Sequence, residues 1–291
     1  MQIRHVKERL VGAILLMCAS TSILIVVLIF LFLFREAAPF VHEPGLGDLI
    51  GANWTPKSYQ KVSFGLLPLV TGSLLVTALA TFVAVPFGVC GAIYVAEVAG
   101  VREREILNPF IELVAAIPSV VLGFFGLVVV APAVKFTFNL NSGLTALTGA
   151  LLLALMAVPT IMTISEDAIR SVPKAYKEAS LALGANRVQT ILKVVVPAAL
   201  SGIIASVMLG MGRVIGETMA VIMVTGNAAK VTLSPFQSVR TMTATIAAEM
   251  GEVPFGSEHY QALFWVGIVL LIATFALNLV AMRVLKTYQR A

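Results

Sequence analysis

The stretch Ser165-Glu-Asp-Ala-Ile-Arg-Ser-Val-Pro-Lys-Ala-Tyr-Lys-Glu-Ala-Ser-Leu-Ala-Leu-Gly-Ala-Asn-Arg-Val-Gln-Thr-Ile-Leu-Lys-Val-Val-Val-Pro197 joins two long apolar runs, and its reading decides the fold. Ser171 is placed to cap a helix with Pro173 in its first turn. Val172, Tyr176, Ala179 and Leu183 then share one face at helical spacing. Gly184 suits a left-handed helix stop, and a second helix opens near Asn186. Pro197 falls where that helix meets the membrane, so a bend is expected there. A loop that only connects two spans would be shorter and more polar. This one presents a short amphipathic helix, with apolar and basic faces, to a partner groove.

Working outward, the flanking runs belong to a series. Of the 291 residues, 59% are hydrophobic and 12% charged, about half the usual charged share. Charges cluster between long uncharged stretches, the pattern of a polytopic helical membrane protein. A spanning helix needs about 20 apolar residues. The expected spans are Leu10–Phe34, Leu69–Tyr94, Leu113–Val134, Leu144–Ile164, a fifth that begins after Lys193 and runs to about Thr225, and Tyr260–Met282. The first is too long for a signal peptide and is read as a retained anchor.

Six spans put both termini on one side. That side receives the N-terminal basic cluster, Arg102, Arg104, the Arg170–Lys193 loop, and Arg283, Lys286 and Arg290. The positive-inside rule makes it cytoplasmic. The net charge of +5 therefore follows from topology, and no nucleic-acid partner is implied. The two long outer segments, Glu36–Lys61 and Gly226–His259, read as polar caps or docking surfaces, or else as passive connectors. Cys18 and Cys90 lie in apolar runs and are expected to be small buried hydrophobes. His5, His42 and His259 lack metal-ligand spacing, so no metal site is expected. No Gly-x-x-x-x-Gly-Lys-Ser/Thr loop occurs, and no nucleophile–base constellation is present. No catalytic residue or cofactor is therefore assigned, and energy must come from another chain or from an ion gradient.

The fifth span carries Leu209-Gly-Met-Gly-Arg-Val-Ile-Gly-Glu217-Thr-Met-Ala-Val. An arginine at mid-membrane costs roughly 2.5–3.5 kcal/mol on insertion scales, so Arg213 must face water, a partner helix or a counter-charge. Glu217, four residues on, is expected on the same helical face. At ~1.5 Å per residue Arg213 lies about 24 Å beyond Pro197, in the outer half of the bilayer. Two readings stand at this point. The guanidinium fork suits tetrahedral oxyanions, and the nearby carboxylate can accept a bond from an anion that still carries a proton. Phosphate near neutrality carries one; sulfate does not. Alternatively the two charges form a structural ion pair. Pro118-Ser119 either breaks the third span and offers the Ser119 hydroxyl to the same pathway, or marks a packed kink. Glu112 is read as lying at the cytoplasmic start of span three.

Glu178-Ala-Ser180, three residues, Gly184, nine residues, then Val-Val-Val-Pro197 resembles the EAA loop of binding-protein-dependent ABC importer permeases. Ser180, Val194 and Val196 depart mildly from the family's Ala, Ile and Leu. The resemblance implies the type I ABC importer permease fold. It also implies that Glu178, Ala179, Ser180, Gly184 and Pro197 belong to a loop seated in the ATP-hydrolysing subunit. Gly-Arg213-x-x-Gly-Glu217-Thr-Met-Ala-Val resembles the signature of permeases of the phosphate-specific transport (Pst) system. Ile111-Glu-Leu-Val-Ala-Ala-Ile-Pro-Ser119 is similar to the PstC-type subunit more than to its PstA partner. The first outer loop carries no likeness.

The resemblance implies phosphate import across a bacterial or archaeal cell (inner) membrane, with Arg213, Glu217 and Ser119 on the pathway. Its implied partners are a PstA-like second permease, a PstB-like ATP-binding dimer, a PstS-like extracytoplasmic phosphate-binding protein and the lipid bilayer. The expected division is an N-terminal helix and outer loop at 1–66, the permease core at 67–283 and a cytoplasmic tail at 284–291. The competing expectations are a permease for another oxyanion, such as sulfate or molybdate, and an ATP-independent secondary transporter. The latter is marked by inverted repeats and several intramembrane charges; this chain shows no repeat and one charged pair.

Overall fold

A bilayer offers the backbone no hydrogen-bond partners, so an uncharged run of this length can cross only as a helix. The computed structural model describes residues 2–42, 44–58 and 61–288. Among the described residues, six helical segments are long and apolar enough to span: Leu10–Val41, Leu67–Val98, Ser119–Thr137, Ala146–Arg170, Arg187–Gly216 and Glu258–Val280. The helices are α1 (Gln2–Ala37), α2 (Leu67–Ile93), α3 (Val101–Ala116), α4 (Ser119–Phe125), α5 (Ala131–Thr137), α6 (Ala146–Arg170), α7 (Lys174–Ala182), α8 (Arg187–Thr190), α9 (Val196–Gly216), α10 (Met219–Val224), α11 (Met242–Glu249) and α12 (Glu258–Tyr288). Short 3-10 helices at Ala38–Val41 and Leu46–Ile50, π turns at Tyr94–Val98, Gly126–Val130 and Ile191–Val195, and a hairpin, β1 (Trp54–Thr55) with β2 (Ser63–Phe64), complete the described elements. The fold is all-α in architecture. Arg290 lies outside the described residues.

Several expected boundaries move. Span three does not start at Leu113. Residues up to Ala116 form the separate helix α3, Ile117 and Pro118 are extended (ψ 126° and 139°), and the membrane segment starts at Ser119. Proline disfavours helical backbone at the residue before it, which forces Ile117 out of the helix. Glu112 therefore sits in α3 and not at a span's start. Span four runs on to Arg170, because Ser165, Glu166 and Ile169 are buried and keep the helix in the bundle. Ser171 does not cap α7; its hydroxyl donates to the Ala168 carbonyl of α6 at 2.7 Å. Span five is interrupted at Glu217, between α9 and α10. Cys18 and Cys90 are free and exposed on the outside of the bundle, where a membrane protein keeps its apolar surface.

Six crossings bring both ends of the described chain to one end of the bundle, called here the terminal end; the opposite end is the far end. The core is built on α6, which packs along α2 and α9. Ile161 is the wedge between them. A Cβ on Gly88 would lie 2.7 Å from Ile161 Cγ2, and one on Gly210 2.6 Å from Ile161 Cγ1. Glycine at both places lets three backbones approach one buried side chain. Span one is peripheral: it is exposed along most of its length and docks on α12 near the far end. There Trp265 donates to the Ala37 carbonyl at 2.9 Å and Phe32 meets Phe264 edge-on.

The two outer segments close over the far end as one cap. Phe40, Trp54 and Phe64 pack with Leu263 and Val266 of α12. A buried ionic cluster fastens this cap. Glu249, only 6% exposed, takes Arg240 at 2.8 Å, His259 at 2.8 Å and the Trp54 indole at 3.1 Å. Burial opposes the ionised form of Glu249 more than any other single effect. The hydrogen bonds from His259 and Trp54, with the charges of Arg240 and His259, outweigh it and hold the carboxyl below the usual carboxylate range. Lys57 and Glu252 add an exposed pair on the cap surface.

Candidate functional site

Two places combine the residues that the sequence singles out. The first is a layer of broken helices. At Glu217 the backbone turns extended (ψ 132°) and α9 ends. The break is held by its own groups. Thr243 of α11 donates to the Glu217 carbonyl at 2.9 Å, and one Glu217 carboxylate oxygen accepts the Ala220 N–H of α10 at 3.3 Å. The carboxylate thus satisfies an orphan donor at a helix start. Arg213 stands in the last turn of α9, where a cation is favoured by the helix's negative end. Its Nη1 donates to Thr160 Oγ1 of α6 at 3.3 Å. Arg213 and Glu217 are therefore not stacked four apart on one helix, and no ion pair joins them among the described residues.

Ser119 opens α4 directly after the second break, at Ile117-Pro118. Helices α4 and α10 run side by side in parallel. A Cβ on Gly123 would touch Ala220 Cα at 3.0 Å, and one on Gly126 would touch Val224 Cγ1 at 2.9 Å. That register puts Ser119 level with the Gly216–Glu217 break. The structure brings Ser119, Glu217, Arg213 and Thr160 to one layer of the bundle. Arg213 is exposed and Glu217 and Ser119 half-buried in the single chain. A guanidinium fork, hydroxyls and one carboxylate at two helix interruptions form a polar set within an otherwise apolar membrane segment. Such a set suits the binding of an oxyanion.

The second place is the loop between α6 and α9. Gly184 adopts φ +85° and ends α7, with its N–H on the Leu181 carbonyl and that of Ala185 on the Ser180 carbonyl. That is the expected left-handed stop. Asn186 caps α8 reciprocally with Gln189, so the second helix opens where expected. The Ser180 and Thr190 hydroxyls, 3.0 Å apart, tie α7 to α8. The turn Ile191–Val195 just before Pro197 is π-helical. Proline cannot donate to the preceding turn and its ring crowds that carbonyl, so a wider turn relieves both. Glu178 and Ala179 are exposed, as are Tyr176 (55%) and Leu183 (90%). Tyr176, Ala179 and Leu183, with Ser180, Gln189 and Val194, line a groove of about 530 Å³; Glu178 lies outside its lining.

Sequence reasoning missed Thr160 and Thr243, which fix Arg213 and Glu217, because a lone threonine in a span carries no spacing signal. It also missed the far-end cluster around Glu249, whose members Trp54 and Glu249 are 195 positions apart. Arg170 and Glu166, paired at 2.6 Å, did carry one: opposite charges four residues apart on a helix.

Residues 88–291 match the family described as "Binding-protein-dependent transport system inner membrane component". The chain is 42% identical over 227 residues to a Bacillus subtilis protein named "Probable ABC transporter permease protein YqgH", covering 78% of this chain and 73% of that one. It is 32% identical to a "Phosphate transport system permease protein PstC" of Mesorhizobium japonicum, covering 90% and 86%. Among solved structures, a chain of a bacterial alginate ABC transporter superposes with TM-score 0.64 at 15% identity, over 91% of each chain. A chain of the MetNI methionine ABC transporter superposes with TM-score 0.58 at 18% identity, over 77% of this chain and 94% of that one. These two establish the type I importer permease fold and nothing about substrate. The chain belongs to the binding-protein-dependent inner membrane component family: it is a multi-pass permease subunit of an ABC importer in the cell membrane.

Proposed function

We propose that this permease imports inorganic phosphate, driven by ATP hydrolysis on a separate pair of subunits. The observation that carries the reading is Arg213. It is exposed in a membrane span and has no carboxylate partner among the described residues. It stands level with two helix breaks that bring Ser119 and Glu217 alongside. A guanidinium with no counter-charge, bonded among the described residues only through Nη1 to a threonine hydroxyl, has further donors of its fork to offer a tetrahedral anion. Glu217 uses one carboxylate oxygen on Ala220, leaving the other to accept a proton-bearing oxygen. A fully ionised sulfate would meet only repulsion there. The relatives named as phosphate transport permeases support the same substrate.

The terminal end is assigned to the cytoplasm, from the surplus of Lys and Arg in its loops. There the exposed groove beside α7, lined by Ala179 and Ser180 and bordered in sequence by Glu178 and Gly184, takes an apolar element of a PstB-like ATP-binding dimer. The hinge at Pro197 passes its movement to α9. The far-end cap faces a PstS-like phosphate-binding protein, and a PstA-like second permease completes the pathway. No phosphate-binding nucleotide loop is present in the chain, so hydrolysis falls to the partner. The division into an N-terminal helix and loop (1–66), a permease core (67–283) and a tail (284–291) belongs to this proposal. The test is Arg213→Gln in the assembled importer. Phosphate uptake is expected to vanish while the subunits still co-purify; normal uptake would overturn the pathway role.

A further inference from the structure

The last carbonyls of a helix have no partner within it and must find donors elsewhere. At the terminal end of α2, which closes in a π turn over Tyr94–Val98, the donors are unusual in origin. Arg104 of α3 donates Nη2 to the Ala96 carbonyl at 2.6 Å. Arg187 of α8 donates to the Glu97 carbonyl. The Glu97 carboxylate in turn pairs with Lys177 of α7. Three basic side chains from three elements thus converge on two consecutive residues. A helix C-terminus attracts cations, and that accounts for the two arginines. It does not account for the Glu97 carboxylate, which caps nothing. Its described ionic partner is Lys177, one residue before Glu178. The pair is largely shielded, with side chains 12% and 26% exposed. Among the described residues it is the one ion pair between α7 and a membrane-spanning segment.

The path onward is closely packed. Further inward along α2, a Cβ on Gly91 would lie 2.9 Å from Met162 Sδ, and Gly88 meets Ile161. Both contacts are on α6, beside Thr160, which holds Arg213. We infer that Glu97 is a positioning residue for transport: through Lys177 it couples movement of α7 to span two, and through α6 to the Arg213 layer. The inference rests on the reading that α7 docks the ATPase.

The test uses the complete importer in proteoliposomes, with binding protein and labelled phosphate outside and ATP supplied to the ATPase subunits. Glu97→Gln and Lys177→Gln are compared with the reversed pair Glu97→Lys/Lys177→Glu. The control is Glu103→Gln, which removes a carboxylate bonded to the Gly100 N–H and the Tyr94 hydroxyl but leaves α7 untouched. Both single variants are expected to assemble and to carry about tenfold less phosphate per ATP hydrolysed. The reversed pair recovers most of the loss, and the control behaves as wild type. An unchanged ratio in assembled Glu97→Gln overturns the inference, as does a reversed pair no better than the single variants. Failure of both Glu97→Gln and the reversed pair to assemble also overturns it, since Glu97 is then a structural cap. If the wild-type permease fails to retain the ATPase, the docking reading falls and the inference with it. If wild type hydrolyses ATP but carries no phosphate, only the substrate reading falls. Binding-protein stimulation of hydrolysis then judges Glu97: a loss of about tenfold supports its role, and no loss overturns it.

Discussion

Truncating Leu183 to alanine isolates the docking groove from the fold. Leu183 is 90% exposed, so its side chain gains almost nothing from its own chain. Nearly the whole transfer free energy of a leucine, roughly 1.5–3 kcal/mol, is therefore available to a partner that covers it. Alanine keeps one methyl, so the loss on docking is about 2 kcal/mol, or about 30-fold in dissociation constant. Leu181, in the last turn of α7 two residues before Leu183, is 51% exposed, yet it is not part of the groove lining. Leu181→Ala should change affinity by less than about threefold, as contacts outside the centre of an interface do. The assay is a titration of purified ATP-binding subunits onto the permease held in nanodiscs, with thermal unfolding of each variant alongside. Wild-type affinity in Leu183→Ala, or equal losses in both variants, would refute the placement of the groove at the ATPase contact. A lowered unfolding temperature in Leu183→Ala would refute the claim that this side chain contributes only to docking.

The far-end cap and the packed core give further expectations. Glu249→Gln leaves Arg240, only 18% exposed at its side chain, without its carboxylate, a change that costs about 3–5 kcal/mol. An unshifted thermal midpoint would contradict it. Because Glu249 is held below its ordinary value of 4.5, its ionised form stabilises the folded state fully above that pH. The contribution is lost as pH falls through the lowered folded value. The stability margin of wild type over Glu249→Gln should therefore shrink on acidification below pH 4.5; a constant margin would contradict this. Gly210→Val places a Cβ 2.6 Å from Ile161 Cγ1 and should cost about 1–3 kcal/mol by overpacking. Gly212→Ala meets open space and should stay within about 0.5 kcal/mol of wild type.

The spans were legible because membrane crossing needs little more than apolar length. Local chemistry was legible too: Gly184 takes φ +85° where a stop was expected, and Asn186 opens α8. The breaks at Ile117-Pro118 and Gly216-Glu217 are less legible, for different reasons. At the first, Pro118 allows either a helix break or a packed kink, because the apolar run continues on both sides; the structure takes the break, and its effect falls on Ile117, the residue before the proline. The second has no breaker stronger than Gly216. It persists because Thr243, 26 positions later, takes the Glu217 carbonyl, which a helical window cannot register. Arg213 and Glu217 were identified as candidates, but their relation was drawn on an unbroken helix. The cap shows the same limit. Trp54 and Glu249 are 195 positions apart, and nothing in either segment names the other.

Under the proposed function, ATP hydrolysis on partner subunits drives phosphate through this bundle. The most direct measurement is uptake of labelled phosphate by proteoliposomes containing the purified importer and its external binding protein, with and without hydrolysable ATP. Unlabelled sulfate, molybdate and phosphate serve as competitors. Uptake that requires hydrolysis and yields only to phosphate is the predicted result. Uptake that proceeds without hydrolysis, or that sulfate or molybdate suppresses as well as phosphate does, would contradict it.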